Sequence, residues 1–505
     1  IKLVEPSMIK RSHQNMWKQL IKLSKDSDVG LQTQLRKSVA NLILERSISP
    51  DMPLPSSREL AWILEISRST VTLVYQRLVD EGFLVSRERQ GYFVNPELVG
   101  ANPANEPGGP EITPRGDWSN RLKHRITSQR NITKPLDWYR YPFPFIFGQI
   151  GADLVPIAEW RECWRHAQGA RTITRSGYDL FDQDDKSLIE QLRVRVLPRR
   201  GIWCHPNNIL ISLGTQNALA MIAKLLIKPD NIVGMENPGY PDARNLFALE
   251  TNNIKLLGVD SEGLIVDDQL NECDYLYITP SYQSPTTTTL SPDRRRLLLA
   301  KAKAHNIVII EDDYESEAAF GDEPIPSLKS ADEHNSIIYC GSLSKSLSPG
   351  LRLGFLVADT ELINEARALR RLSIRHPPPM IESTVAHFIE LGHYDSHLNR
   401  LSKAYRERWT TMAEATDKYF PYTHRRTSFG GTSFWITAPE GLDAEQLAVK
   451  ALEKGIIIEP GTVHFGEPNP PKNHFRLGFS AITVDQITPG VKLLAKIIDE
   501  SASSA

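Results

Sequence analysis

The stretch SLSKSLSPGLRLGF, Ser342 to Phe355, sets Ser342, Ser344, Lys345 and Arg352 close together. A lysine that is buried or set among cations gives up its proton more readily and can attack a carbonyl carbon. Three other stretches carry complementary groups. IIEDDY places Asp312, Asp313 and Tyr314 after an apolar run, where two acids could hold a proton, cap a helix or bind a metal. ISLGTQNAL places Gly214, Thr215 and Gln216 between a strand and a helix start. Free amides and a helix dipole there can hold a phosphate, although a plain turn looks the same. ENPGYP adds an aromatic ring, Tyr240. Pyridoxal phosphate (PLP) uses all of these at once: an amine for its aldehyde, a carboxylate for its pyridine nitrogen and a cradle for its dianion. On that reading Lys345 forms the Schiff base and Asp312 keeps the ring nitrogen protonated. Tyr314 bonds the ring hydroxyl and Tyr240 stacks on the ring. Gly214, Thr215, Gln216, Ser342 and Arg352 hold the phosphate.

Such groups must be delivered by elements. NILIS, NIVGM, YLYIT, IVIIE, SIIYC and GFLVA read as short buried strands with helical stretches between several of them. That alternation predicts an α/β fold with a mainly parallel sheet from about residue 137 onward. The three polar clusters then fall at strand C-terminal ends, where open α/β sheets bind ligands. The tail, about 395–505, reads as a smaller α+β subdomain. No internal repeat is seen.

The front of the chain has another pattern. Leu31, Leu35, Val39, Leu42 and Leu44 mark an amphipathic helix. Ser56 and Glu59 form a Ser-x-x-Glu start signal, and Ser67 caps a following helix that runs to about Glu81 and stops at Gly82. FLVSRERQGYFV reads as two strands turning at Gln90 and Gly91. Residues 28–97 are therefore expected to form a winged helix that binds DNA. Arg68, Ser69 and Thr70 open the recognition helix, and Arg58, Arg77, Arg87 and Arg89 reach phosphate or minor groove. Any one of these arginines could equally be a solvated surface residue; the set and its arrangement favour DNA. Residues 98–136, rich in Pro, Gly and Asn, read as a linker.

Composition sets outer limits. A chain of 505 residues exceeds one ordinary core. The formal net charge is −2, so DNA binding must use a local basic surface. The four cysteines are scattered without a Cys-x-x-Cys pair, which argues against disulfides and structural zinc and favours the cytoplasm. No apolar run is long enough to cross a bilayer.

SLSKSLSPGLRLG resembles the Ser-x-Ser-Lys…Arg-x-Gly motif of fold-type I aminotransferases. IIEDDYESE is similar to the Glu-Asp-Asp-Tyr block of the MocR/GabR regulators, which fuse a GntR-like winged helix to an aminotransferase-like domain. LPSSRELA, SRSTV and RQGYFVN resemble the DNA-reading half. The resemblance implies PLP on Lys345 and an effector acid group gripped by Arg476, in FRLGF; a strand-edge salt bridge is the other reading of that arginine. It also implies a homodimer with each winged helix lying against the partner's sheet domain, and an amine effector that forms an external aldimine. LRRLSIRHPP and ELGHYDSHLNRL resemble members that regulate use of taurine- or ectoine-type amines. The chain departs from the aminotransferases at QSPTTTT, where Ser284, preceded by Gln283, stands in place of Asn. Tyr178 is the candidate for a cross-dimer phosphate contact. These departures imply sensing rather than turnover, against the alternatives of a working aminotransferase with an accessory domain and a regulator that has lost its cofactor.

Overall fold

The computed structural model describes residues 16–502, apart from 19, 25–28, 46, 101–117, 180–181, 316–324 and 423–428. The chain divides into two compact units, Ile1–Leu122 and Lys123–Ala505. The large unit thus begins inside the stretch read as a linker. Gln129 and Arg130 there donate to the carbonyls of Asn245, at 3.2 Å, and of Phe465, at 2.9 Å.

In the first unit, helices α1 (Leu31–Leu44), α2 (Ser57–Ile63) and α3 (Arg68–Asp80) precede the hairpin strands β1 (Leu84–Arg87) and β2 (Gly91–Val94). The Ser56 hydroxyl accepts the Glu59 amide at 3.2 Å, and Ser67 accepts the Thr70 amide at 3.1 Å. Each serine supplies an oxygen to a helix-end amide that has no partner within the helix. Leu35, Val39, Leu60, Val71, Val74 and Leu78 close the core. Leu44, expected on the buried face, is 56% exposed, and Ile43 takes its place inside. In the wing Leu84 pairs with Val94 and Arg87 with Gly91; Arg89 and Gly91 turn the hairpin at φ +59° and +105°.

The large unit is built on a sheet in the order β3–β10–β9–β8–β7–β4–β5–β6. These strands are β3 (Ile209–Ser212), β4 (Val233–Asn237), β5 (Ile254–Asp260), β6 (Gly263–Leu264), β7 (Tyr275–Ile278), β8 (Val308–Asp313), β9 (Ile337–Ser342) and β10 (Gly354–Val357). From β9 to β5 the pairs are parallel, and β10 runs antiparallel to both its neighbours. Helices cover the faces, so β3, β8, β9 and β10 are buried over nearly their whole length, even where β8 ends in Glu311, Asp312 and Asp313. The six runs read as strands are all present. The sequence reading missed β5, whose residues are mostly half-exposed and include Lys255.

The C-terminal subdomain holds β11 (Ser433–Thr437), β12 (Glu459–Pro460) and β13 (His474–Gly478), antiparallel in the order β11–β13–β12. Its long helix His393–Tyr419 packs on the helix Val484–Ala502.

Candidate functional site

The C-terminal ends of the central strands meet the start of helix α4 (Gly214–Leu226) around a cavity of about 130 Å³. It brings together Gly214, Thr215, Gln216, Tyr240, Ser284, Asp312, Tyr314, Ser342, Lys345 and Arg352, with Phe147 and Ser344 beside them.

Strand parity sorts the two acids of IIEDDY. Successive side chains on a strand point to opposite faces. Asp312 faces the cavity, while Asp313 turns away and binds Arg200 Nε and the Tyr339 hydroxyl, each at 2.7 Å. Asp312 Oδ2 accepts the Tyr277 hydroxyl at 2.8 Å, and its Oδ1 has no hydrogen-bond partner among the described residues. Burial pushes the Asp312 carboxyl up to about 7. Burial also pulls the Lys345 ammonium down to about 8, against the field of Glu315. Lys345 Nζ lies 4.4 Å from the centre of the Phe147 ring. Gly148 has φ +73°, which disfavours other residues, and a Cβ there would come within 2.5 Å of Lys345 Nζ and displace the lysine's end.

At the phosphate end, Gly214 opens α4 at φ +74°, and a Cβ there would sit 2.9 Å from Arg352 Nη2. Arg352 donates to the Leu213 carbonyl at 3.3 Å. Lys345 and Arg352 share one connection between β9 and β10, closed as a clip. The Ser344 hydroxyl donates to the Leu353 carbonyl at 3.1 Å and accepts the Leu353 amide at 3.0 Å. The Leu343 amide adds a bond to the same carbonyl at 3.1 Å.

Other candidates are placed less simply. The Tyr314 hydroxyl donates to the Tyr282 carbonyl at 2.9 Å, leaving its lone pairs for the cavity. The single Tyr240 hydroxyl hydrogen has two acceptors in reach, Gln216 Oε1 at 3.3 Å and Asp242 Oδ2 at 3.2 Å. Gln283 is turned into its own loop, donating to the Pro238 carbonyl at 2.7 Å and accepting from Thr286. Tyr178 is 60% exposed and does not line the cavity. Arg476 is buried, 3.9 Å from the Phe147 ring centre and paired with Glu459, and it is not among the residues that line the cavity. Phe147, Tyr277, Glu459 and His464 escaped the sequence reading, because nothing in their local pattern marks an aromatic or acid as part of a site.

In the winged unit Arg58, Arg68, Ser69, Arg77, Arg87 and Arg89 are exposed, as a DNA-facing set requires. Thr70 is half-buried, and its hydroxyl is engaged by Ser67 at 2.7 Å. Arg87 stacks on Phe93 at 4.3 Å. Among the described residues no group of three or more His, Cys, Asp or Glu could hold a metal, and no helix is long and apolar enough to cross a membrane.

The model for aminotransferase class I and II matches residues 163–494, and that for bacterial regulatory proteins of the gntR family matches residues 31–94. The HTH-type transcriptional regulator TauR of Rhodobacter capsulatus is 38% identical, over 93% of this chain and 96% of its own. The probable rhizopine catabolism regulatory protein MocR of Rhizobium meliloti is 29% identical, over 94% and 95%. Among solved structures, the α-aminoadipate aminotransferase LysN of Thermus thermophilus, complexed with N-(5'-phosphopyridoxyl)-L-leucine, is 27% identical. It superposes with a TM-score of 0.68, covering 77% of this chain and all of its own (100%). The matches run in one order along one chain, DNA-binding half first and cofactor-fold half second, and the chain belongs to the MocR/GabR-type transcriptional regulators.

Proposed function

We propose that this regulator binds PLP on Lys345, senses an amine through it and converts that binding into a change of operator occupancy. The observation that carries the reading is the unpartnered, buried Oδ1 of Asp312 at the floor of the cavity that holds Lys345. A buried carboxylate oxygen without a donor is costly, and a protonated pyridine nitrogen is the donor it lacks. The residues present fit the group. Asp312 would hold the ring nitrogen, Lys345 the aldehyde carbon, and Gly214, Thr215, Ser342 and Arg352 the phosphate. Bound PLP supplies an aldehyde that condenses reversibly with primary amines. The chain's residues orient that exchange: Tyr277 fixes Asp312, and Phe147 packs against both Lys345 and Arg476, whose guanidinium would meet the effector's acid end.

A taurine- or ectoine-type amine is the proposed effector class. The working unit is a homodimer, and two winged helices then read two half-sites on one stretch of duplex. Turnover as an aminotransferase is the second reading, favoured by the complete set of Lys345, Asp312 and Arg352 in one cavity. Borohydride reduction followed by peptide mapping tests the cofactor assignment; label on any residue but Lys345 refutes it. Operator binding with and without amines, beside an assay with an amino donor and 2-oxoglutarate, separates sensing from turnover.

A further inference from the structure

Arg476 is not a lone cation. Its Nη2 forms an ion pair with Glu459 Oε1 at 2.5 Å, although neither Nη2 nor Nε makes a hydrogen bond among the described residues, and the same oxygen lies 2.9 Å from His464 Nε2. The other ring nitrogen, Nδ1, is 3.1 Å from the Gly239 carbonyl, and the Gly239 amide donates back to the His464 carbonyl at 2.9 Å. Arg476 is 1% exposed and His464 fully buried. The chain of contacts ends beside Tyr240, on the cavity wall.

Hydrogen counting restricts the charge state. The Gly239 carbonyl only accepts, so Nδ1 must carry a hydrogen. The Nε2 contact also needs one, on either the imidazole or the carboxyl. Glu459 and His464 therefore hold one proton more than a carboxylate with a neutral imidazole, and the pair is neutral as a unit. Burial pushes the imidazole down against the pull of Glu459. For Glu459 burial is outweighed by Arg476 and His464, which hold its carboxyl below the usual range. Both directions favour release of the shared proton, so the pair gives it up below the ordinary imidazole value and is anionic above that. The other charged groups around the pair are few. Lys134 acts on Glu459 through its field. Arg244 and Arg130 donate to the carbonyls of His464 and Phe465, at 3.1 and 2.9 Å. Glu445 accepts from Thr462 at 2.6 Å, and His474 lies on the other side of Trp435.

We propose that Glu459 and His464 are positioning residues that fix Arg476 and, while they hold their shared proton, leave its charge uncancelled, so that the site then selects amines whose far end is a monoanion, sulfonate or carboxylate. The inference rests on Arg476 facing the effector. As pH rises and the pair gives up its proton, it becomes an anion, cancels the guanidinium and weakens the hold on an acid group.

The test uses the PLP-loaded full chain and measures dissociation constants of taurine, β-alanine and propylamine by spectral titration, below and above neutral pH. The wild type should bind the two acid-bearing amines about tenfold more weakly at the higher pH, a difference of about 1.4 kcal/mol. Propylamine should show no such difference once its own amine titration is subtracted. The two variants should move in opposite directions. His464→Gln leaves Glu459 charged and should bind the acids weakly at both pH values. Glu459→Gln removes the cancelling charge and should bind them well at both. Parallel losses in the two variants, or a His464→Gln protein that behaves as wild type, overturn the proposal while Arg476 keeps its role. An Arg476→Ala protein that still prefers the acids, or a wild type that binds neither better than propylamine, removes the Arg476 reading and this one with it. Preference for taurine over β-alanine, or the reverse, assigns the anion as sulfonate or carboxylate.

Discussion

Asp312 is in conflict with its surroundings until a donor arrives. Its carboxyl is pushed up from its ordinary value to about 7, with burial the main cause. An acid whose folded value is raised binds protons more tightly in the folded state, so stability is greatest below its ordinary value and is lost as pH rises toward about 7. The cofactor-free protein should therefore become less stable between about pH 4 and pH 7. Asp312→Asn should relieve this by about 2–4 kcal/mol at pH 8, because each pKa unit is worth about 1.4 kcal/mol. The same variant should lose cofactor on dialysis. Thermal unfolding of the cofactor-free forms across pH, beside absorbance of the loaded forms, checks both halves. An Asp312→Asn protein less stable than wild type at pH 8 would mean that the buried carboxylate is better compensated than its single hydrogen bond implies.

At the scale of elements, the two serine caps make a matched case. Ser67→Ala should destabilise the recognition helix by about 1 kcal/mol, read as earlier melting of the winged unit's signal in the full chain. Gly214→Ala should act at the phosphate end of the cavity. Its φ of +74° disfavours alanine, and the added methyl meets Arg352. Cofactor retention should fall while the sheet persists by circular dichroism. The elements were legible where local rules act alone: serine caps, apolar runs buried on both faces, and glycine turns. Leu44 and Ile43 were confused because a helix face shifts by a residue near its end, where fraying and packing outweigh periodicity. Strand β5 escaped because a half-covered strand lacks the continuous apolar run. Of the site, the cluster that follows each strand was readable as motif. The support behind it was not, since Tyr277, Glu459 and His464 reach their partners only through the folded sheet.

For the whole molecule, the expectation is a division of labour. Arg68→Ala should weaken operator binding and leave the cofactor spectrum unchanged, since Arg68 and Lys345 belong to different units. A loss of about 1–3 kcal/mol confined to one base position would identify a base contact. A uniform loss with shallower salt dependence would identify a phosphate contact. Lys345→Ala should keep basal DNA binding and lose the amine response, and gel-shift titrations with and without amine measure both variants. The clip that joins Lys345 to Arg352 bears on how such a sensor behaves over time. Ser344 ties the two ends of that connection through Leu353, so the arginine's footing does not depend on what the lysine is bonded to. A molecule gripped at its phosphate by Arg352 and at its ring by Asp312 keeps its berth while the lysine changes partners. On the proposed reading, the detector would then be written and erased many times without reloading from the surrounding pool. Its recovery time is set by departure of the amine, and washing out the amine alone should restore the starting state.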